Sequence, residues 1–255
     1  MLKRILTSII GLIVFFAVVF AHRYVLYAFA LLLIFGMLHE MYNAICVGRT
    51  LRISGYVSAL AVFSGAVFGK PLLSVYAVFM LFLLAMIVLH GRVTSKKVLS
   101  TAFVTVFISM FMSLLVPIRA NFGGGFIILP FVCAWMTDTG AYFSGSFFGK
   151  HKLVPHISPK KTVEGAIGGI LFSIVGCMIF ACFVNTTDAY AKFAVIGLAG
   201  SLISQAGDLI ASCIKRDFGK KDFGTLLPGH GGIMDRFDSV LYVLPFVYFA
   251  LRYFI

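Results

Sequence analysis

The sequence contains few charged residues: Asp, Glu, Lys and Arg make up 12% of its 255 residues, and only nine of these residues are acidic. A soluble domain has about 25% charged residues, so this shortage excludes an ordinary soluble globular protein. Polar low-complexity tracts and internal repeats are also absent, which excludes linker-rich and repeat architectures. With 61% hydrophobic residues, the composition indicates a protein that lies within a lipid bilayer.

Cysteine is scarce, and its spacing is not that of a metal site. The five cysteines form no Cys-x-x-Cys pair, and four of them lie inside apolar runs. No set of Cys and His has zinc spacing, and no Walker A loop is present. The sequence therefore predicts no disulfide framework, and thiols that behave as small apolar side chains.

Long hydrophobic runs occupy most of the chain. A helix needs about 20 mainly apolar residues to cross about 30 Å of hydrocarbon, and the runs lack the alternation of a membrane barrel. The sequence predicts an all-α, polytopic integral membrane bundle of about nine transmembrane helices, forming a single membrane domain over residues 1–255. The nine runs are approximately 5–20, 24–46, 53–69, 71–90, 98–117, 122–143, 163–184, 191–211 and 237–255.

Basic residues are distributed unevenly between the two predicted sides. Counting the 21 Lys and Arg in alternate loops places sixteen on the side of the N-terminus and five on the other. Because cytoplasmic loops have the excess of Lys and Arg, we expect a cytoplasmic N-terminus and cytoplasmic loops at 144–162 and 212–236. Membrane topology thus explains the net charge of +12, which gives no reason to expect a nucleic-acid partner.

Acidic residues concentrate in the second half of the chain, since all but Glu40 lie at or after Asp138. We therefore interpret 1–120 as N-terminal spans and 121–255 as the catalytic spans and loops. Asp208 lies inside an apolar run, where a carboxylate costs about 2.5–3.5 kcal/mol on insertion scales, so it needs a cation or a wet cavity. Asp138 has the same requirement; either residue could instead cap a helix or pair with a lysine.

The segment 212–238 has the residues of an anion site. Four basic residues precede Pro-Gly-His-Gly-Gly, whose glycines permit positive φ and let backbone N–H groups approach a ligand. Asp235 and Asp238 are three residues apart at the start of the last span and lie on one helical face, beside the end of the span with Asp208. Carboxylates, lysines and a glycine loop together suit a nucleotide bound with Mg²⁺.

A second loop places Lys160 and Lys161 after Ser158-Pro159. These lysines could bind an anionic lipid or a triphosphate, or could simply determine topology. The small residues Gly165, Gly168 and Gly169 that follow favour close helix packing. In the first half, Glu40 lies at the cytoplasmic end of its span and could pair with Arg49 or face the bundle interior.

The pattern of 212–238 closely resembles the integral-membrane phosphatidate cytidylyltransferases, also called CDP-diacylglycerol synthases. Their signature is a Ser, then Lys-Arg, then Lys-Asp, then Pro-x-His-Gly-Gly-x-x-Asp-Arg-x-Asp. The matching residues are Ser212, Lys215, Arg216, Lys221, Asp222, Pro228, His230, Gly231, Gly232, Asp235, Arg236 and Asp238. Supporting matches are 138–142, 158–162 with 164–165, and 207–209. Val163 replaces a frequent Trp, and Ala211 a frequent acidic residue.

The resemblance implies a reaction of CTP with phosphatidate that gives CDP-diacylglycerol and pyrophosphate. It also implies dependence on Mg²⁺, a homodimer, and a role for most of the signature; a second metal or a monovalent cation is left open. The implied catalytic residues are Asp208, Asp235, Lys215, Arg216 and Lys161. The implied metal ligands are Asp208, Asp235 and Asp238. The implied substrate-binding residues are Ser158, Lys160, Ser212, Lys221, Asp222, His230, Gly231, Gly232, Arg236 and Asp138.

Two other functions are weighed against this one. An ion-coupled transporter would use Asp138 and Asp208 as intramembrane cation sites, but it leaves the lysine-rich glycine loop unexplained. A CTP-dependent polyprenol kinase would share the nucleotide and the membrane but yield a phosphorylated alcohol. We expect the cytidylyltransferase, in a bacterial inner membrane, with its active site on the cytoplasmic face.

Overall fold

The computed structural model describes residues 2–184, 189–226 and 231–255, with side chains from Ile9 onward. Within these ranges the chain forms ten α-helices and one hairpin of two strands. The helices are α1 (Leu2–Phe20), α2 (Arg23–Ala44), α3 (Arg49–Val67), α4 (Pro71–Val88), α5 (Ser95–Ser113), α6 (Leu115–Phe122), α7 (Leu129–Phe148), α8 (Val163–Phe183), α9 (Tyr190–Asp217) and α10 (Met234–Phe254). The strands are β1 (Lys152–Val154) and β2 (Ser158–Thr162).

Eight stretches of the described chain are long and apolar enough to cross a membrane. They are α2, α3, α4, α5 with α6, α7 with the short turn before it, α8, α9 and α10. Within α1, the residues with described side chains, Ile9–Phe20, form an apolar helical stretch that is shorter than these eight. The predicted all-α polytopic membrane bundle is therefore confirmed, whereas the side on which each terminus lies stays a prediction.

Two helices extend beyond the apolar runs that predicted them. α7 continues to Phe148 and α9 to Asp217, whereas the runs end near 143 and 211. The prediction that the loop after α9 begins at residue 212 was wrong. Hydropathy shows where a helix leaves the lipid core, but the helix itself continues to Asp217. Lys215 and Arg216 lie in the last turn of α9, where cations interact favourably with the helix dipole.

The chain divides into two compact units. One comprises residues 1–120 with 222–236, and the other comprises 121–221 with 237–255. In the first unit, α3 packs on α2, α4 and α5. At its centre the hydroxyl of the buried Tyr42 lies 2.7 Å from the hydroxyl of Thr105. Gly55 lets α3 approach Tyr42 closely, since a Cβ at that position would collide with the hydroxyl of Tyr42.

The second unit is built on the close approach of α7, α8 and α9. A Cβ at Gly169 would lie 2.8 Å from the carbonyl oxygen of Thr137, and one at Gly165 would lie 2.9 Å from that of Ala141. The predicted packing role of these glycines is confirmed. α10 joins the unit through Tyr242, whose ring would lie 2.6 Å from a Cβ at Gly207. Charged residues near the ends of these helices are thereby held at short range.

Candidate active site

The hairpin β1–β2 holds Lys160 and Lys161 just before the start of α8. Its strands are antiparallel, with Lys152 opposite Thr162. The Thr162 hydroxyl accepts a hydrogen bond of 3.1 Å from the N–H of Gly165 and so caps α8. The carboxylate of Glu164 accepts the backbone N–H of His151 at 3.2 Å and lies 2.6 Å from its ring Nδ1. Lys160 and Lys161 therefore lie on a strand whose C-terminal end is anchored at the start of α8.

Lys161 forms an ion pair with Asp208 of α9. Both side chains are partly buried, with 27% and 29% of their surface exposed. Of the possibilities left open for Asp208, the structure therefore shows the one in which it pairs with a lysine, and that lysine is Lys161. The pair joins the hairpin to the middle of a helix that is long enough to span the membrane.

A second ion pair lies deeper in the same unit. Lys215 Nζ is 3.6 Å from Asp238 Oδ2, and these side chains are only 12% and 10% exposed. Asp238 Oδ1 also accepts the backbone N–H of Ser239 at 2.8 Å. The charge of Asp238 interacts with those of Asp208 and Asp138. We name Asp138, Lys161, Asp208, Lys215 and Asp238 together the charged cluster.

A pocket of about 190 Å³ opens beside the charged cluster. Its polar wall includes Asp138, Lys160, Lys161 and Gln205, and its apolar wall includes Leu153. Lysines beside apolar side chains suit the phosphate group of an amphipathic molecule, because the charge and the hydrocarbon each meet a matching surface.

The carboxylate of Asp235 organises the glycine segment in the first unit. Its Oδ2 accepts the backbone N–H groups of Phe223 and Gly232, each at 2.9 Å. The bond to Gly232, three residues earlier, has the spacing of a capping box at the start of α10. Gly231 has a φ of +83°, which confirms the positive φ predicted for this loop. The metal-binding role of Asp235 stays a prediction.

Glu40 is not among the site residues predicted from the sequence, but it contacts the same glycine segment as Asp235. Its side chain is buried, and its two oxygens accept the N–H groups of Ile233 at 2.9 Å and Met234 at 2.8 Å. A Cβ at Gly224 or at Gly232 would collide with the carboxylate of Glu40. Of the two alternatives, the structure confirms that Glu40 faces the interior. The sequence contained one sign of a special role for this residue: Glu40 is the only acidic residue before Asp138.

The other predicted site residues are placed as follows. Ser158 on β2 and Ser212 on α9 are half-buried, and Arg236 on α10 is exposed. Arg216 is exposed and donates a hydrogen bond of 3.4 Å to the carbonyl of Lys220. Lys221 and Asp222 are exposed, and Pro228 and His230 lie outside the described residues. The second unit thus contains the charged cluster, and the first contains Glu40, Asp235 and the described glycines of the loop.

The donor set of the charged cluster fits a magnesium ion that arrives with its substrate. In the described ranges, no three His, Cys, Asp or Glu side chains are grouped so that they could hold a metal ion. Mg²⁺ usually takes one or two protein carboxylates together with phosphate oxygens, and not a complete protein cage. Asp208 and Asp238 supply such carboxylates, each beside a lysine.

Comparisons with known proteins extend over the whole chain. Residues 2–254 match the model of the cytidylyltransferase family. A phosphatidate cytidylyltransferase of Staphylococcus saprophyticus is 37% identical over 250 residues, which cover 95% of both chains. Proteins of the same name from Staphylococcus epidermidis and Staphylococcus aureus are 38% and 37% identical over 254 residues, again 95% of each chain. This integral membrane protein therefore belongs to the cytidylyltransferase family.

Proposed function

We propose that this protein transfers a cytidylyl group from CTP to phosphatidate and releases pyrophosphate. The observation that supports this most directly is the charged cluster, because it brings together Lys161, Asp208, Lys215 and Asp238, to which the family resemblance assigns catalytic or metal-binding roles. Relatives named phosphatidate cytidylyltransferase align with this protein over 95% of both chains. The product of the reaction is CDP-diacylglycerol.

In the proposed reaction, a phosphate oxygen of phosphatidate attacks the α-phosphorus of CTP in line. A new P–O bond forms, the bond to the β-phosphate oxygen breaks, and pyrophosphate leaves with the electron pair. The phosphate monoester is largely dianionic at neutral pH, so no general base is needed. Repulsion between two anions is the main obstacle, so positioning and charge neutralisation are the tasks of the protein.

The lysines of the site supply that neutralisation. Lys160 and Lys161 line the pocket that we assign to the phosphatidate headgroup, with Leu153 beside its apolar part. Lys215 and Arg216 at the end of α9 are assigned to the phosphates of CTP. Asp208 and Asp238 would hold Mg²⁺, which supplies further positive charge to the phosphate oxygens when bound. The family resemblance also assigns a metal-binding role to Asp235. In this assignment the ion pair with Asp208 also orients Lys161.

The setting that we propose is the cytoplasmic face of a bacterial inner membrane. The uneven distribution of Lys and Arg supports this orientation, and the resemblance to the family supports a homodimer. CTP would arrive from the aqueous side, while phosphatidate would enter laterally from the bilayer.

The test is product analysis with purified protein in mixed micelles. Phosphatidate and CTP labelled in the α-phosphate, with Mg²⁺, should yield lipid-soluble label that migrates as CDP-diacylglycerol. Asp208→Asn should slow the formation of that label by about 100-fold or more, whereas Asp217→Asn, on the same helix but exposed and outside the cluster, should leave it unchanged. Lipid-soluble label that appears from CTP labelled in the γ-phosphate, with a polyprenol in place of phosphatidate, would favour the kinase. A folded protein that consumes no CTP but moves ions across sealed vesicles would favour the transporter.

A further inference from the structure

A second cavity lies within the first unit, at the end where α3 and α5 begin. It measures about 300 Å³. Its polar lining comprises Arg49, Thr50, Arg92, Thr94 and Lys97. It shares no lining residue with the pocket of the second unit. Neither the family signature nor the proposed reaction uses any of these side chains.

The cavity is positively charged without a compensating carboxylate in its lining. Residues 1–120 and 222–236 include only three acidic side chains, Glu40, Asp222 and Asp235. Glu40 is bonded to the start of α10, and the carboxylates of Asp222 and Asp235 both lie beside Gly231. Three cationic side chains therefore line the cavity, and all three acidic side chains of the unit lie at the glycine segment instead.

Two helix N-termini add to this positive charge. α3 and α5 each contain 19 residues and have no acidic residue in the first turn. Their N-caps, Gly48 and Thr94, make no side-chain capping hydrogen bond within the described chain. Arg49 and Lys97 stand at the ends where the helix dipole disfavours cations. An anion in the cavity would relieve both the uncapped N–H groups and the crowding of positive charge.

The wall of the cavity is held in place by hydrogen bonds of Arg52 and of Lys97. Arg52 donates to the carbonyl of Val47 at 2.8 Å and to the side chain of Asn43 at 2.7 Å. Lys97 donates to the carbonyl of Cys46 at 3.5 Å, in a turn where Cys46 has a φ of +53°. These bonds fix the turn between α2 and α3 that precedes Arg49. The shape of this wall is thus set by bonds within the first unit.

An apolar surface adjoins the cavity. Along α4, all of which is described, only Val78 and Phe82 are buried. Ile87 and Val88, the last residues of α4 before the segment with Arg92, are 71% and 78% exposed. Because α4 is apolar enough to span a membrane, hydrocarbon chains can lie along this surface while a headgroup reaches Arg92.

We infer that this cavity binds the phosphate group of an anionic phospholipid, whose acyl chains lie along α4. Basic pockets between transmembrane helices are suited to such headgroups, since they combine charge with contact to the bilayer. The site would hold a lipid independently of the reaction, so its failure would leave the proposed function unaffected.

The test is native mass spectrometry of the full chain, titrated with phosphatidylglycerol or phosphatidylcholine. Arg49→Gln/Arg92→Gln removes two charges from the cavity, and Lys70→Gln/Lys96→Gln removes two exposed charges of the same unit that do not line it. We expect the first variant to bind phosphatidylglycerol at least about tenfold more weakly, and the second to bind it within about twofold of the unchanged protein. Binding of phosphatidylcholine should be weak throughout.

Two outcomes would overturn the inference. If both double variants lose phosphatidylglycerol to the same extent, the cations act only as a general surface charge. If inorganic phosphate or CTP at millimolar concentration displaces phosphatidylglycerol completely, the site is one for a soluble anion. Should the double variant fail to fold, Arg92→Gln against Lys96→Gln provides the same comparison with one charge each.

Discussion

The carboxylate of Glu40 accepts the backbone N–H of Met234, a residue 194 positions later in the sequence. The other oxygen accepts the N–H of Ile233. Helix N-termini have N–H groups without intrahelical partners, so a buried carboxylate there satisfies two of them and interacts favourably with the dipole. Asp235 directly follows Met234, in the first turn of α10. Glu40 is therefore a positioning residue for the glycine segment and the start of α10.

Replacement of Glu40 should reduce both stability and turnover. Glu40→Gln keeps the shape of the side chain, but its amide NH₂ would face a backbone donor, and we expect a loss of about 1–3 kcal/mol in the free energy of unfolding. At a temperature where the variant is fully folded, kcat should fall more than KM changes. The measurements are thermal unfolding in detergent and lipid-product kinetics. Normal kcat in a folded Glu40→Gln would contradict the positioning role.

Gly232→Ala should show the same defect, because its Cβ would collide with the Glu40 carboxylate. Gly11→Ala is the matched control, since a Cβ at Gly11 meets nothing within 4 Å. In a double-mutant cycle, Glu40→Ala and Gly232→Ala should be non-additive, with a coupling of about 0.5–3 kcal/mol. Strict additivity in unfolding measurements would show that the two residues do not act on one another.

The pair of Lys161 and Asp208 should be necessary for activity as well as for structure. Asp208→Asn or Lys161→Gln should lower kcat by about 100-fold or more, as for other losses of electrostatic stabilisation. The exchange Lys161→Asp/Asp208→Lys restores an ion pair and should recover thermal stability without recovering activity. If the exchanged protein turned over CTP normally, the pair would have only a structural role.

Lys215 and Arg216 are neighbours, but their replacement should have different consequences for folding. Lys215→Gln leaves Asp238 buried without its cation and should lower the free energy of unfolding by about 3 kcal/mol. Arg216→Gln affects an exposed side chain and should lower activity with little change in stability. Chemical unfolding in parallel with kinetics separates the two effects. Equal destabilisation by both variants would argue against the ion pair at 3.6 Å.

Magnesium dependence should follow the carboxylates of the charged cluster. Chelation should abolish product formation, and added Mg²⁺ should restore it. Asp208→Asn and Asp238→Asn should each raise the Mg²⁺ concentration for half-maximal activity by about tenfold or more, because each removes an oxygen ligand. Asp217→Asn should leave that concentration unchanged. An Asp238→Asn variant with a normal Mg²⁺ titration would remove Asp238 from the proposed ligand set.

The membrane bundle was predictable because hydropathy depends on each residue and its near neighbours. The need of Asp208 for a cation was predictable for the same reason, since a carboxylate within an apolar run has few ways to be solvated. The partner was not, because Lys161 is brought to Asp208 by the packing of α8 against α9. The contact of Glu40 with Met234 spans most of the chain and has no local signal. The hairpin was also missed, because Ser158-Pro159-Lys160-Lys161-Thr162 lacks the alternation of a buried strand.

The contact between Glu40 and the start of α10 has a consequence for synthesis of the chain. Ribosomes add about 5–20 residues per second, so about 10–40 s separate the emergence of Glu40 from that of Ile233, 193 residues later. During this interval α2 enters the bilayer with a carboxylate whose final hydrogen-bond donors do not yet exist. Early spans must therefore remain loosely assembled, or be held by other donors, until the last helix begins.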